Sequence, residues 1–220
     1  MRSLSLGPTH GGGRFPGFDV TTQSAQWDDA TRAVVLARLE PPGPPRFFTA
    51  AEQRVAVALF DQLLFQRDEP RVPVMSMVDA RLADHQTDGW HHENMPPDDL
   101  AWRNTLAALD EDSRSRHGQP FAACGWDEQK GLLQSIQDLG TGEWHGMVAS
   151  QVWSLWSRYA CTAFYAHPLA WNEIGFDGPA YPRGYKNIGV DRLEGTEVHD
   201  AHPGHDPLAR KGAPTSGVQQ

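Results

Sequence analysis

The segment from Gln151 to Tyr185 constrains the fold more than any other part of the chain. In its first half, apolar residues recur at spacings of three and four, which predicts a long helix over roughly Gly146 to Ala166 with one broad apolar face. After His167-Pro168 the spacing stops, and we expect no further helix, because Pro removes an amide donor and Gly costs backbone entropy. Four large aromatic residues follow among the Gly and Pro residues: Trp171, Phe176, Tyr181 and Tyr185. Rings of this size must either cover the chain's own core or contact a partner.

Charge and composition narrow the classes of function. The chain has 220 residues and a formal net charge of -9, and it shows no basic patch, which argues against a nucleic-acid ligand. The two cysteines, Cys124 and Cys161, lie in different segments, and two buried thiols are expected rather than a disulfide. No apolar run near the N-terminus predicts a cleaved secretory signal, and none reaches the roughly 18 residues that a membrane span needs. We therefore expect a soluble, intracellular protein, unless a partner carries it elsewhere.

The sequence predicts an all-α protein with a single helical domain of about five helices, an aromatic C-terminal loop rich in Gly and Pro, and flexible termini. Residues 1–45 are expected to form a loose or extended segment that ends in a stiff Pro-rich linker. The folded domain is placed at residues 46–190, and residues 191–220 at a mobile His-rich tail. The stretch from Trp27 to Leu39 fits either a short helix or an extended segment.

Cap residues locate the helices that precede the long one. Thr49 and Glu52 form a capping box, with Phe48 placed before it as a staple, so a helix is predicted to run to about Gln66. Two of the other helices are predicted from Pro73 to His85 and from Asp127 to Gly140. Between them, a helix is predicted to begin at Asp98, to place Leu100 on its buried side, and to end before a polar connection at residues 113–120.

Two histidine clusters are candidates for chemistry within this chain. The tail holds side chains that are typical metal ligands: His199, Asp200, His202, His205 and Asp206. Because Pro and Gly interrupt this segment, no element fixes the geometry of the ligands, and a solvated tail is the favoured interpretation. His91 and His92 are neighbours on a predicted loop and lack the His-Glu-x-x-His spacing that places two imidazoles on one helical face.

Motifs for nucleophilic catalysis or nucleotide binding are not found in the sequence. There is no Gly-x-Ser-x-Gly elbow and no P-loop, and the glycines at 11–13 are not followed by a strand and a helix. Two alternatives stay open at this point. One is a free-standing metal-dependent enzyme that uses His199, His202 and His205, or His91 and His92. The other is a generic helical interaction module.

Three segments resemble one known family. They are His167-Pro168 with Trp171–Phe176 and Gly178–Tyr185, the start of the predicted domain at Phe47–Glu52, and Asp68–Val74. Together they are similar to the gluconate 2-dehydrogenase subunit 3 family over roughly residues 30–190. The resemblance implies a small helical subunit without a cofactor of its own. It also implies a large partner of the glucose–methanol–choline (GMC) oxidoreductase type, which binds FAD and oxidises a sugar, sugar acid or related alcohol, and in many complexes a cytochrome subunit.

The resemblance gives the aromatic loop a role. We expect Trp171, Phe176, Tyr181, Arg183 and Tyr185 to contact the partner, because aromatic residues and Arg are enriched in interface cores. The alternative is that these rings fold back over the long helix as core. No catalytic, cofactor-binding or metal-binding residue is assigned to this chain. Members of the family often carry a twin-arginine signal, which this sequence lacks, so the pair is expected in the cytoplasm.

Overall fold

The computed structural model describes residues 4, 7, 10–190 and 192–205. Its α-helices are α1 (Asp29–Ala37), α2 (Ala50–Leu63), α3 (Val74–Ala83), α4 (Asp98–His117), α5 (Trp126–Asp138), α6 (Ala149–Tyr165) and α7 (Pro168–Ile174). Two short strands, β1 (Glu143–Trp144) and β2 (Met147–Val148), pair antiparallel with Glu143 opposite Val148. The mostly helical architecture predicted from the sequence is confirmed. Among the residues described, no helix is both long enough and apolar enough to cross a bilayer.

The chain divides into two compact units. Unit 1 joins the described residues up to Leu39 to those from Pro168 onwards, and unit 2 is Glu40–His167. These borders differ from the boundaries at 45/46 and 190/191 that composition predicts. The reason is that Trp171 shares a core with Val20 and Trp27, so the C-terminal loop belongs with the N-terminal segment. That N-terminal segment is therefore packed where the sequence suggests a loose chain.

Helix α2 begins at the predicted capping box. The Thr49 hydroxyl accepts the amide of Glu52 at 3.3 Å, and the Glu52 carboxylate accepts the amide of Thr49 at 2.7 Å. Two of the four orphan amides at a helix start are satisfied in this way. Phe48, the residue before the cap, is buried as its position as a staple predicts. The capping prediction is confirmed.

A buried carboxylate on α3 fixes the chain where it enters α2. Asp79 is 2% exposed. One of its oxygens accepts the amides of Phe47 and Phe48 at 3.0 and 2.8 Å, and the other accepts the amide of Arg46 at 2.6 Å. Hydrogen bonds to an ionised acceptor are stronger than those between neutral groups. Asp79 therefore ties residues 46–48 to α3.

The core of unit 2 is built around Trp102 on α4, whose side chain is fully buried. The indole meets Phe48 and Tyr159 edge-on, with ring centroids at 6.1 and 5.6 Å, and it lies 5.4 Å from the ring of Phe60. Edge-to-face contacts of this kind add to the stabilisation from apolar burial. The aromatic core therefore joins α2, α4 and α6.

A polar contact at the edge of this core joins α6 to the start of α4. The Tyr159 hydroxyl donates to Asp98 at 2.5 Å, and both side chains are buried. Arg158 lies 3.9 Å from the same carboxylate and 2.8 Å from Asp88. Burial, followed by the neighbouring Asp98 carboxylate, raises the pKa of Tyr159 well above its ordinary value. The phenol is thus held in its neutral form.

Helix α4 differs from its prediction in its length and in the orientation of one residue, Leu100. It continues through Ser113 to His117, whereas a polar connection from residue 113 was expected, and this expectation is wrong. Gly118 ends the helix in the left-handed conformation at φ 72°, and the last turn is basic, as favours a helix C-terminus. Leu100, expected on the buried side, is 48% exposed, because the buried stripe runs through Ala101 and Trp102 instead.

Cys161 is a further correction. The sequence predicts two buried thiols, but only Cys124 is buried, and Cys161 is exposed on α6. The inward face of α6 follows Val152, Trp156 and Ala160, and a residue one position further along a helix turns by about 100° away from that face.

Unit 1 contains two helices that the prediction left open or missed. The ambiguous stretch after Trp27 is helix α1, whose N-cap Asp28 accepts the amide of Thr31 at 2.8 Å. Helix α7 begins at Pro168, where no helix was expected. Pro is well tolerated in the first turn of a helix, and residues 169–174 contain neither Gly nor Pro. The prediction treated the whole segment as broken, although the dense Gly and Pro residues start only at Gly175.

Candidate functional site

The candidate site is the C-terminal loop, residues 175–190 and 192–194, and α7 fixes where it starts. Trp171 on α7 is 6% exposed and packs against Val20, Trp27 and Val35. The adjacent Asn172 is also buried. Its side-chain oxygen accepts the amide of Val20 at 2.8 Å, and its amide group donates to the carbonyl of Leu4 at 2.9 Å. The loop therefore starts from a buried, hydrogen-bonded base within unit 1.

Two glycines let the loop pass close to aromatic rings. Gly175 and Gly178 adopt φ values of 70° and 84°, where L side chains are strained. A Cβ on Gly175 would lie 2.5 Å from the ring of Phe15, and one on Gly178 would lie 2.7 Å from the ring of Trp27. Both positions therefore require glycine for conformation and for space.

Substituting Gly178→Ala is expected to loosen the base of the loop. Gly184→Ala is the matched control, because Gly184 also has a positive φ, 69°, but faces open space. Both variants add the strain of a left-handed Ala, about 1 kcal/mol, and only Gly178→Ala adds a clash with Trp27. The amide of Phe176, which donates to the carbonyl of Trp171, should exchange about tenfold faster in Gly178→Ala than in Gly184→Ala. Equal exchange rates would contradict the tight contact with Trp27.

Asp177 anchors the middle of the loop. Its carboxylate is 2% exposed, pairs with Arg183 and accepts the hydroxyl of Thr196 at 2.6 Å. A buried carboxylate is stable only when it is paired and hydrogen-bonded in this way. Further along, Glu194 accepts the amides of Lys186 and Asn187 at 2.5 and 2.6 Å. The loop is thus closed on itself from both sides.

Between these anchors the loop exposes a row of apolar side chains. We call residues 181–190 the aromatic ridge. Tyr181 and Tyr185 are 67% and 54% exposed, and Ile188 and Val190 are exposed even more fully. The Asp177–Arg183 pair and the hydrogen bonds from two backbone amides to Glu194 hold this segment in place. Its largest side chains face water. Exposed apolar groups on a fixed backbone are typical of a protein-binding surface.

The structure separates the five residues predicted to contact a partner. Tyr181 and Tyr185 lie exposed on the ridge, and Phe176 is partly exposed with its ring edge-on to Trp171 at 5.4 Å. Arg183 is largely covered by its pair with Asp177. Trp171 differs from the expectation, because its indole completes the core of unit 1. Ile188 and Val190 were missed, although their position beside Gly189 and Asn187 marked them as apolar residues in a loop.

The predicted histidine clusters are not brought together in the part of the chain that the structure describes. No three His, Cys, Asp or Glu side chains converge there as metal ligands would. Asp200 pairs with Arg14, and hydrogen bonding to this guanidinium lowers the pKa of the carboxyl. Asp206 lies outside the described residues. In the other cluster, a ring nitrogen of His91 lies 3.1 Å from the carbonyl of His92, whose ring packs on Trp90.

Comparison with known proteins gives one family. The sequence model of a family described as gluconate 2-dehydrogenase subunit 3 matches residues 50–178, which is more than half of the chain. No curated protein and no solved structure matches significantly. The matched range holds most of unit 2 together with α7 and the two strained glycines. The chain therefore belongs to the gluconate 2-dehydrogenase subunit 3 family.

Proposed function

We propose that this chain is a non-catalytic accessory subunit that binds and stabilises an FAD-dependent oxidoreductase of the GMC type. Its family supports a place in a dehydrogenase complex. The observation that carries the proposal is the aromatic ridge, which exposes Tyr181 and Tyr185 from a loop anchored at Asp177. Tyr side chains are enriched among the residues that dominate binding energy, because they offer a large rigid surface with a polar tip.

In this proposal the partner supplies the chemistry. The large subunit binds FAD and oxidises a sugar, a sugar acid or a related alcohol, and a cytochrome subunit takes up the electrons where one is present. The small subunit contributes free energy of association, which stabilises the folded partner by mass action. A chain that works only by binding needs no nucleophile, base or metal of its own.

The ridge predicts a specific loss of affinity. Replacing Tyr181 and Tyr185 by Ala should weaken the complex with a co-expressed GMC-type flavoprotein about 100-fold, since truncating each central aromatic anchor costs on the order of 1–2 kcal/mol. Tyr165→Ala is the control, because this tyrosine is similarly exposed but lies on α6. Affinity is measured by titration, and the flavin absorbance of the co-purified complex reports its stoichiometry.

Two results would contradict the proposal. In the first, the flavoprotein and this chain elute separately, and the flavoprotein has the same melting temperature with and without this chain. In the second, the complex forms but the ridge variant binds as tightly as Tyr165→Ala, which would remove the ridge from the interface.

A further inference from the structure

A second surface with recognisable chemistry lies in unit 2. It is an open groove of about 1030 Å³ between α2, the segment 66–71 and the start of α5. Helix α2 contributes the small or apolar residues Ala50, Val57 and Ala58 to its lining, and also Gln53, Arg54 and Asp61. Val57 is exposed although it is apolar, so this face of α2 is left without a covering side chain.

At one end of the groove the lining residues Arg67 and Trp126 form an aromatic and cationic platform with Phe65, which lies beside the lining. Phe65 is 69% exposed and meets the ring of Trp126 edge-on at 5.7 Å. The guanidinium of Arg67 lies over both rings, at 4.9 Å from Phe65 and 4.5 Å from Trp126. Phe65 also has a φ of 54°, a conformation that costs a bulky residue about 1 kcal/mol or more. The chain accepts this strain in a conformation that displays an apolar ring to solvent.

The groove is lined by three arginines and by the carboxylates of Asp61 and Asp127. Among the groups that line it, Arg71 pairs with Asp61 at 2.8 Å and also with Glu69. Arg54 and Arg67 also line the groove, and within the described residues neither makes an ion pair with a carboxylate. The whole chain has a net charge of -9, so a lining with more arginines than carboxylates sets this region apart. Burial raises the pKa of Asp61 although Arg71 lies beside it.

Size favours a polypeptide over a small molecule. A small-molecule pocket encloses roughly 300–1,000 Å³ and surrounds most of its ligand. This groove has a volume of about 1030 Å³ and is open along α2. The distance along α2 from Ala50 to Asp61 is about 16 Å, which is the length of about five extended residues. The chain's own ends are not acidic: residues 1–9 hold Arg2 and no carboxylate, and residues 206–220 hold Asp206 with Arg210 and Lys211.

We infer that this groove binds an acidic segment of the flavoprotein partner, with carboxylates on Arg54 and Arg67 and an apolar side chain over Val57. The inference rests on the proposed function and gives the complex a second contact besides the ridge. Charge complementarity would supply specificity and speed of association more than affinity alone. Because the arginines at the groove edge are exposed, the contribution must shrink as salt is raised.

Charge reversal tests the inference. The double variant Arg54→Glu with Arg67→Glu should bind the co-expressed flavoprotein about 30-fold more weakly than wild type at low salt, and the difference should narrow at high salt. The control is Arg116→Glu with Lys130→Glu, which changes the net charge equally at two exposed cations that do not line the groove. The affinity of the neutral double variant, Arg54→Gln with Arg67→Gln, should lie between those of the charge-reversal variant and the control. Unfolding curves of the free variants establish that each is folded.

Photo-crosslinking identifies the occupant. With Val57 replaced by benzoyl-phenylalanine, a crosslink to an acidic segment of the flavoprotein supports the inference. A crosslink to a second copy of this chain overturns it, as does a complex that forms without any crosslink and with equal affinity in both charge variants. If wild type forms no complex at all, the proposed function fails together with the groove. If the complex forms and the groove variants bind the flavoprotein as tightly as wild type, only the inference about the groove is contradicted.

Discussion

Substituting Asp79→Ala is expected to lower the free energy of unfolding by about 4 kcal/mol. The substitution leaves the amides of Arg46, Phe47 and Phe48 without their acceptor, and the Phe48 amide is buried. An unsatisfied buried donor costs roughly 1–3 kcal/mol, which is more than the net gain from a typical hydrogen bond. Urea unfolding followed by far-UV circular dichroism measures the change.

Two further variants test the geometry of the Asp79 contact. Asp79→Asn keeps the shape of the side chain and one oxygen, which can still accept from Phe47 and Phe48, so about half of the loss is expected. Asp68→Ala removes an exposed carboxylate and should stay within about 0.5 kcal/mol of wild type. If Asp79→Ala unfolds at the same urea concentration as Asp68→Ala, the chain entering α2 does not depend on Asp79.

The second large effect is expected at Tyr159. Tyr159→Phe removes the hydroxyl that donates to Asp98 at 2.5 Å and leaves a buried carboxylate with one partner fewer. A hydrogen bond to a charged group contributes about 1.5–3 kcal/mol, and a loss of about 2–3 kcal/mol is expected in the same urea assay. Tyr165→Phe is the control, because this tyrosine is exposed.

The same pair predicts how stability depends on alkaline pH. The pKa of Tyr159 is raised in the folded protein above the ordinary value of 10.0, chiefly by burial. Above that value the unfolded chain loses a proton that the folded chain keeps. The contribution of the neutral Tyr159 phenol to the free energy of unfolding is therefore complete below about pH 10, and above that it falls by about 1.4 kcal/mol for each further pH unit. Unfolding free energies measured from about pH 9 to pH 11 should fall more steeply in wild type than in Tyr159→Phe. Parallel curves would contradict the buried neutral phenol.

Local signals in the sequence were sufficient for most of unit 2. The capping box at Thr49 and Glu52 specifies the start of α2 by hydrogen bonds within four residues, and the apolar spacing of α6 specifies its buried face. The end of α4 was misplaced even though Gly118 and a basic last turn were visible, because the polar residues before Gly118 resembled a connection. Leu100 shows the related limit: which apolar residue faces inward depends on neighbours in other helices.

Unit 1 could not be predicted in the same way, because its contacts join residues far apart in the sequence. Trp171 is buried by Val20, Trp27 and Val35, and no periodicity links those positions. For the same reason the five predicted contact residues do not form one exposed surface. The aromatic content of the loop does not indicate which ring is buried against the N-terminal segment. The predicted contacts at Tyr181 and Tyr185 stay a prediction. Their exposure is a structural fact that the composition alone did not supply.

The order of synthesis delays the formation of the core of unit 1, because that core is built from two segments that are far apart in the chain. Val20, Trp27 and Val35 leave the ribosome first, but the indole that covers them is translated roughly 140 residues later, about 7–28 s at 5–20 residues per second. Unit 2 is continuous in the chain and emerges within that interval. The N-terminal apolar residues thus wait in the nascent chain as bare surface, which is the state in which a polypeptide is most exposed to chaperones and to aggregation.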